Sequence, residues 1–469
     1  MTVLLWLSLK SQSDPSGVEM RLFAKTVVIG FLSLSSALQA QSIVLEGVNL
    51  VPMTSEKVIH NQRVWIERGT ISRIESMDNP AGQKADLYID GRGKFLIPAL
   101  SDTHFHQHRN SIEDTKLLFK LLIANGVGTV RTMAQWNEQD TIAIRQWAAQ
   151  ADTIAPHYYA SGPQLNATNV KNVADAVAMV DMHQQRGYDF IKVHGNLEPQ
   201  AYLALLERAA FYKLPVTGHA QRHLPLQYTL RMHSLAHIEE LVVLLAGQQL
   251  QIPKVTPLEL NDMVQQIKTS GITVTPTLSI LALIPEYTDE KRYLALQKKY
   301  ESQFIAYGEY LWFTNPDNPS YQSAFFKTPQ MKKYIADMIQ TSARLTKALS
   351  DAGVPLLVGS DNLGFHIAGF SVHEEMQQMQ KAGMTPYQVL KAATADSARY
   401  LGRQALAGTL EVGKNAEFVL LAANPLLDIS HTKRIEGVMH KGRWYNRAAL
   451  DQLLSDVAQA RQAEKTQPQ

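Results

Sequence analysis

Six candidate metal ligands, with one further histidine beside the first two, lie scattered over the middle of the sequence. The stretch SDTHFHQHRN carries His104, His106 and His108 directly after the apolar run FLIPAL. Lys192 lies in DFIKVHG, His219 in PVTGHA, His237 in SLAHIEE and Asp361 in PLLVGSDN. The chain has no cysteine. Disulfides and thiolate sites are therefore excluded, and any metal must be held by His, Asp, Glu or Lys. Taken singly, each residue has a plainer explanation. A lone histidine at a strand end is more often a hydrogen-bonded core or rim residue, a lone Asp there often caps the next helix, and a lone lysine snorkels to the surface.

The joint reading depends on the elements that carry them. Eight apolar, β-rich runs recur: 96–104, 128–133, 157–162, 189–195, 215–220, 234–240, 272–279 and 355–362. Helical patterns such as TKLLFKLLIANG, VADAVAMVDMHQQ and AYLALLERAAFY stand between them. Alternation of strand and helix means parallel pairing, and eight units of this total length predict an α/β fold built as a (β/α)8 TIM barrel. A doubly wound open sheet is the runner-up, but no glycine-rich phosphate fingerprint follows any strand. Strand-like segments at 43–97 and again near the C-terminus predict a small β-sandwich domain built from both chain ends. The expected boundaries are 43–97 with 405–448 for the sandwich, 98–404 for the barrel and 449–469 for a C-terminal tail. Residues 283–352 are expected to add helices and a loop over the barrel mouth.

In such a barrel the active site lies at the C-terminal ends of the strands. His104 and His106 share a face because strand side chains alternate with period two. Lys192, His219, His237 and Asp361 fall at the same end of their own strands. His108 has the parity of His106 but lies past the strand, so it is expected to line the pocket. Lys192 tests the idea. An ammonium beside two divalent cations would be repelled and offers no lone pair. It fits only if burial keeps the amine neutral and carbon dioxide converts it to a carbamate, an anion able to bridge two metals. The expectation is one metal on His104, His106 and Asp361, another on His219 and His237, with carbamylated Lys192 and a hydroxide shared.

Those stretches, with SVHEEMQQMQKAGMTPYQVLKAATADSARYLG and GTLEVGKNAEFVLLAANPLLDI, resemble the amidohydrolase superfamily, in its imidazolonepropionase-like and prolidase-like branch. The resemblance runs from about residue 43 to 446. It implies binuclear metal ligands at His104, His106, Lys192, His219, His237 and Asp361, with zinc as the expected ion. Ala99 stands where the family usually has Gly. The loop SGPQLNATN lacks the Gly-Gly-His insertion of many prolidase-like members, which argues against a dipeptide substrate.

The expected reaction is hydrolysis of a C–N amide bond in a dipeptide, N-acyl amino acid or cyclic amide. Two metals about 3.5–4 Å apart supply hydroxide at neutral pH. Asp361 takes the proton of the attacking group and passes it to the leaving nitrogen. His194, two residues beyond Lys192, is expected to touch substrate. Arg131 either binds a substrate carboxylate or forms an internal ion pair. A mononuclear deaminase has no use for Lys192 and usually carries a Glu soon after the strand-five histidine, where this chain has HAQRHL. The same residues would also suit a lactone or phosphotriester hydrolase, or an exported metal- or ligand-binding protein without turnover.

Composition is ordinary for a globular protein, 45% hydrophobic and 19% charged over 469 residues, and the formal net charge is +2. Neither nucleic acid nor an acidic membrane surface is indicated as a partner. From Met20, MRLFAKTVVIGFLSLSSALQA has the layout of a secretory signal peptide, so residues 20–40 are expected to direct export to a bacterial periplasm. Residues 1–19 read as an upstream extension of the gene.

Overall fold

The computed structural model describes residues 42–80, 82–107, 111–136, 139–246, 252, 255–315 and 324–466. The expected signal peptide, the upstream extension and His108 lie outside these residues. No helix among the described residues is long and apolar enough to cross a membrane.

The described residues open with five strands, β1 (Ser42–Leu50), β2 (Ile59–Glu67), β3 (Thr70–Ser76), β4 (Leu87–Asp90) and β5 (Phe95–Pro98). Seven parallel strands follow: β6 (Leu100–Phe105), β7 (Val127–Thr132), β8 (His157–Tyr159), β9 (Ile191–Val193), β10 (Val216–Gly218), β11 (Ser234–Ala236) and β12 (Thr273–Thr275). Near the end come β13 (Phe418–Leu421), β14 (Ile435–His440) and β15 (Arg443–Asn446). The terminal strands of both ends join one mixed sheet in the order β15-β14-β13-β5-β1-β2-β3, with β4 also on β1. Its Ile43, Leu45, Val64, Ile66, Phe418 and Leu420 share a core separate from the main one.

The parallel strands form two sheets, β6-β7-β8 and β9-β10-β11-β12. Except in β8, where His157 and Tyr159 are half-buried, their residues are buried on both faces, as parallel strands covered by helices must be. Isolated bridges Ser161↔Phe190 and Leu165↔Val193 link the segment after β8 to β9. The helices fall where the apolar periodicity placed them, at Ile112–Ala124, Thr141–Ala148, Val173–Arg186, Pro199–Tyr212 and Pro257–Ser270. Side-chain caps start several of them: Ser111 accepts from Asp114 N, and Asn172 from Asp175 N.

Two expectations are corrected. Residues 355–362 are not a regular strand. Val274 pairs with Leu356 as a single bridge, Thr103 N donates to Val358 O at 2.9 Å, and Leu357 N donates to Val274 O at 2.9 Å. Pro355 has no N–H to give, and Ser360 N donates to the Asp102 carboxylate instead of to a backbone carbonyl. Residues after 448 are not a tail. Arg447–Glu464 is a helix packed on Ile112–Ala124, with Arg461 buried against Asp114 and Lys120 Nζ 2.7 Å from Asp456.

Candidate metal centre

β6 and the 358–362 segment are joined at their ends by side chains as well as backbone. Asp102 Oδ1 accepts from His104 N at 3.1 Å and from Ser360 N at 2.9 Å, while Oδ2 accepts from Ser360 Oγ at 2.6 Å. Asn362 Oδ1 accepts from His106 N and its Nδ2 donates to His106 O, both at 2.8 Å. Asp361 N donates to His104 O at 2.7 Å. This network turns Asp361 toward both histidines. Its Oδ1 lies 3.0 Å from His106 Nε2 and 3.5 Å from His104 Nε2, and its Oδ2 lies 3.7 Å from His237 Nδ1.

The six predicted side chains form one cluster. Ring centroids are 5.2 Å apart for His104 and His106, 4.5 Å for His104 and His237, and 4.4 Å for His237 and His219. Lys192, at the centre of β9, is 2% exposed and acts electrostatically on His104, His219 and His237. Asp361 and His237 both hold positive φ, 52° and 69°, which is uncommon for residues with a Cβ and concentrates at functional sites. Thr277, at φ 51°, brings its Oγ1 to 2.9 Å from His237 Nδ1.

Burial governs the charges. It holds His104, His219 and His237 well below the usual imidazole range, so their lone pairs are free of protons at neutral pH. Burial likewise pulls the Lys192 amine down to about 7. For Asp361 burial works upward, but the surrounding imidazoles, His104 foremost, outweigh it and keep the carboxyl well below its ordinary value. Neither ring nitrogen of His104, nor Nδ1 of His106, has a hydrogen-bond partner despite being buried. Buried polar nitrogens without partners are costly, and a divalent ion is a partner they fit. Ligand atoms of His104, His106 and Asp361 all come within 4.8 Å of one another. A set of neutral imidazoles and a carboxylate is a donor set for zinc or a similar ion.

Several contributors were not read from the sequence. Glu240, fully buried, has its Oε1 2.6 Å from His219 Nδ1 and is held by Arg222 at 2.7 and 2.8 Å. An ionised carboxylate there requires the proton on Nδ1, leaving Nε2 bare. Its neighbour Glu239 is pushed up to about 8 by burial and then by Glu240, and its Oε1 lies 3.8 Å from His237 Nδ1. The acidic pair two and three residues after His237 was the visible signal for both. Asp102, inside the HxH stretch, carried no signal separating it from a helix cap.

The remaining expected contacts divide. His194 is exposed, with its ring edge-on to His219 at 4.2 Å. Arg131 is fully buried and faces inward. It donates to Thr103 O at 2.7 Å and to Tyr400 Oη at 2.6 Å, and it lies over the Phe190 and Tyr400 rings. Its hydrogen-bond partners are thus neutral core groups, no carboxylate pairs with it among the described residues, and its buried Nη2 has no hydrogen-bond partner.

The fold and site define an α/β protein with a buried His–Lys–Asp centre at the ends of parallel strands. A profile of the amidohydrolase family matches residues 95–445. Short curated alignments join the chain to adenine deaminase 3 of Rhizobium johnstonii (32% identical over 73 residues), ochratoxinase of Aspergillus niger (36% over 90) and imidazolonepropionase of Geobacillus thermodenitrificans (38% over 76). They cover 16%, 19% and 14% of this chain, and the chain spans only 12%, 18% and 18% of those relatives. Among solved structures, a Xaa-Pro dipeptidase with bound methionine matches at TM-score 0.63 and 18% identity, over 87% of this chain and 100% of that one. Bottromycin amidohydrolase matches at TM-score 0.67 and 22% identity, over 90% of each chain. The chain belongs to the amidohydrolase family.

Proposed function

We propose that the protein is a metal-dependent hydrolase cleaving the C–N bond of a small amide, with two divalent ions in its centre. The observation that carries this reading is the single cluster of His104, His106, Lys192, His219, His237 and Asp361, with buried imidazole nitrogens lacking partners. His104, His106 and Asp361 would hold one ion, zinc by donor type, and His219 with His237 the other. Lys192, as a carbamate formed when its neutral amine attacks carbon dioxide and loses a proton, would stand between them. The ions when bound polarise the scissile carbonyl and acidify water. Similar proteins named as a dipeptidase, an ochratoxinase and an amidohydrolase support an amide substrate.

The chain's own residues do the rest. Asp361, ionised and fixed by the β6 junction, accepts a proton from the attacking water and returns it to the leaving nitrogen. Glu240 orients His219 through its Nδ1–H. His194 borders the substrate. The bridges after β8 and the bonds of 356–358 to β6 and β12 support a closed (β/α)8 barrel over 98–404. The separate core shared by both chain ends supports a β-sandwich of 43–97 with 405–448. Export of the mature chain to a periplasm is part of the same proposal.

Metal analysis with a substrate panel tests the reading. Reconstitution with zinc and bicarbonate should load about two ions that His104→Ala combined with His219→Ala removes, and give turnover of N-acyl amino acids, dipeptides or cyclic amides, with a chelator abolishing it. Loss of one ion or none in that variant sinks the two-ion centre, and turnover confined to lactones or phosphotriesters sinks the amide assignment. Glu240→Gln should weaken metal binding by about 10–100-fold, read by chelator competition. Unchanged affinity would remove Glu240 from the site.

A further inference from the structure

We propose that His157, Glu417 and His440 form a further divalent-metal site, a clip between the parallel strands and the terminal sheet that is separate from the centre at His104. The three residues come from distant parts of the chain. His157 opens β8, and so lies at the opposite end of its strand from the candidate active site. Glu417 directly precedes β13, and His440 closes β14. Their ligand atoms lie within 4.8 Å of one another. The rings of His157 and His440 meet edge-on with centroids 5.2 Å apart.

Two of the three donors, His440 and Glu417, are oriented by a partner behind them. His440 Nε2 is 2.9 Å from the Ala155 carbonyl, which can only accept, so the ring proton is on Nε2 and Nδ1 is bare. That Nδ1 is buried and has no hydrogen-bond partner, and His440 is 2% exposed. Glu417 divides its oxygens: Oε2 takes Arg403 at 3.1 Å, while Oε1 faces His157 Nε2. Arg403 is itself fixed to Thr129 Oγ1 at 2.9 Å. Carbonyl and guanidinium partners behind the ligands are the usual means of orienting a metal site.

The surroundings agree. A Cβ on Gly128 would come to 3.2 Å from His440 Nδ1, so glycine keeps room in front of the bare nitrogen. The His157 side chain is 28% exposed, which leaves an entry path and space for a water ligand. Two imidazoles with one carboxylate are a known zinc donor set, completed by water. A His157–Glu417 ion pair without metal would leave the His440 acceptor buried and unsatisfied, at a cost that a metal removes. Binding would tie the terminal sheet to β8 across a sequence separation of 260 residues.

The test counts zinc in the full chain by mass spectrometry and follows the thermal midpoint with and without added zinc. His157→Gln and Glu417→Gln should each lose about one zinc equivalent and the part of the midpoint rise that zinc produces, with hydrolase activity retained. Glu417→Gln also gives up the Arg403 pair, so a third comparison guards against misfolding. Asp361→Asn should keep zinc that is lost on adding His157→Gln, with cobalt absorption reporting the same change. Wild-type zinc counts in the folded His157→Gln chain overturn the proposal, as does a midpoint that falls in the variants with no change in its response to zinc.

Discussion

Asp361→Asn is expected to lower kcat by about 10²–10⁴-fold in a chain that folds as the wild type does. The substitution changes one atom that can take a proton into an amide that cannot. It spares the backbone. Asp361 sits at φ 52°, a region Asn tolerates well, and its N–H bond to His104 O does not involve the side chain. The loss therefore reports the carboxylate and not the fold. Measuring kcat beside metal content and circular dichroism separates the two possible causes. Loss of turnover with metal retained assigns proton transfer to Asp361, and loss of both assigns metal holding. A kcat within a few-fold of wild type, with metal in place, removes Asp361 from the chemistry.

Lys192→Met should abolish turnover, by about 10³-fold or more if the second ion leaves with it, and should reduce bound metal. Met fills nearly the same volume, so packing in β9 is spared. The same variant reads the lysine's charge in metal-free protein. Burial holds the folded amine at about 7, against about 10.4 in the unfolded chain. Between these values the unfolded chain binds the extra proton. Stability contributed by this group must then rise as pH increases from about 7 toward 10, and below about 7 its burial cost is present in full. Urea midpoints over that window should climb in the wild type relative to Lys192→Met. Equal slopes would show that the amine is not depressed, and the carbamate would lose its precondition.

The sequence by itself determined the types of group and their strand addresses. Period-two parity put His104 and His106 on one face, and the alternation of apolar runs with helical patterns placed Lys192, His219 and His237 at like ends of parallel strands. These are local properties, set by backbone geometry and by which residues must be buried. Only the tertiary structure decided what each group faces. The reach of Glu240 from beyond β11 to His219, the bond from Asp102 to Ser360, and the inward turn of Arg131 depend on which strands are neighbours. The irregular 355–362 segment also escaped periodicity, because Pro355 and the Asp102 carboxylate replace ladder bonds that a strand pattern presumes. The helix Arg447–Glu464 is an element whose role appears only when Arg461 meets Asp114, far away in sequence. His157, Glu417 and His440 belong to the same class. No spacing relates them, and their proximity follows from the fold bringing the start of β8 against the terminal sheet.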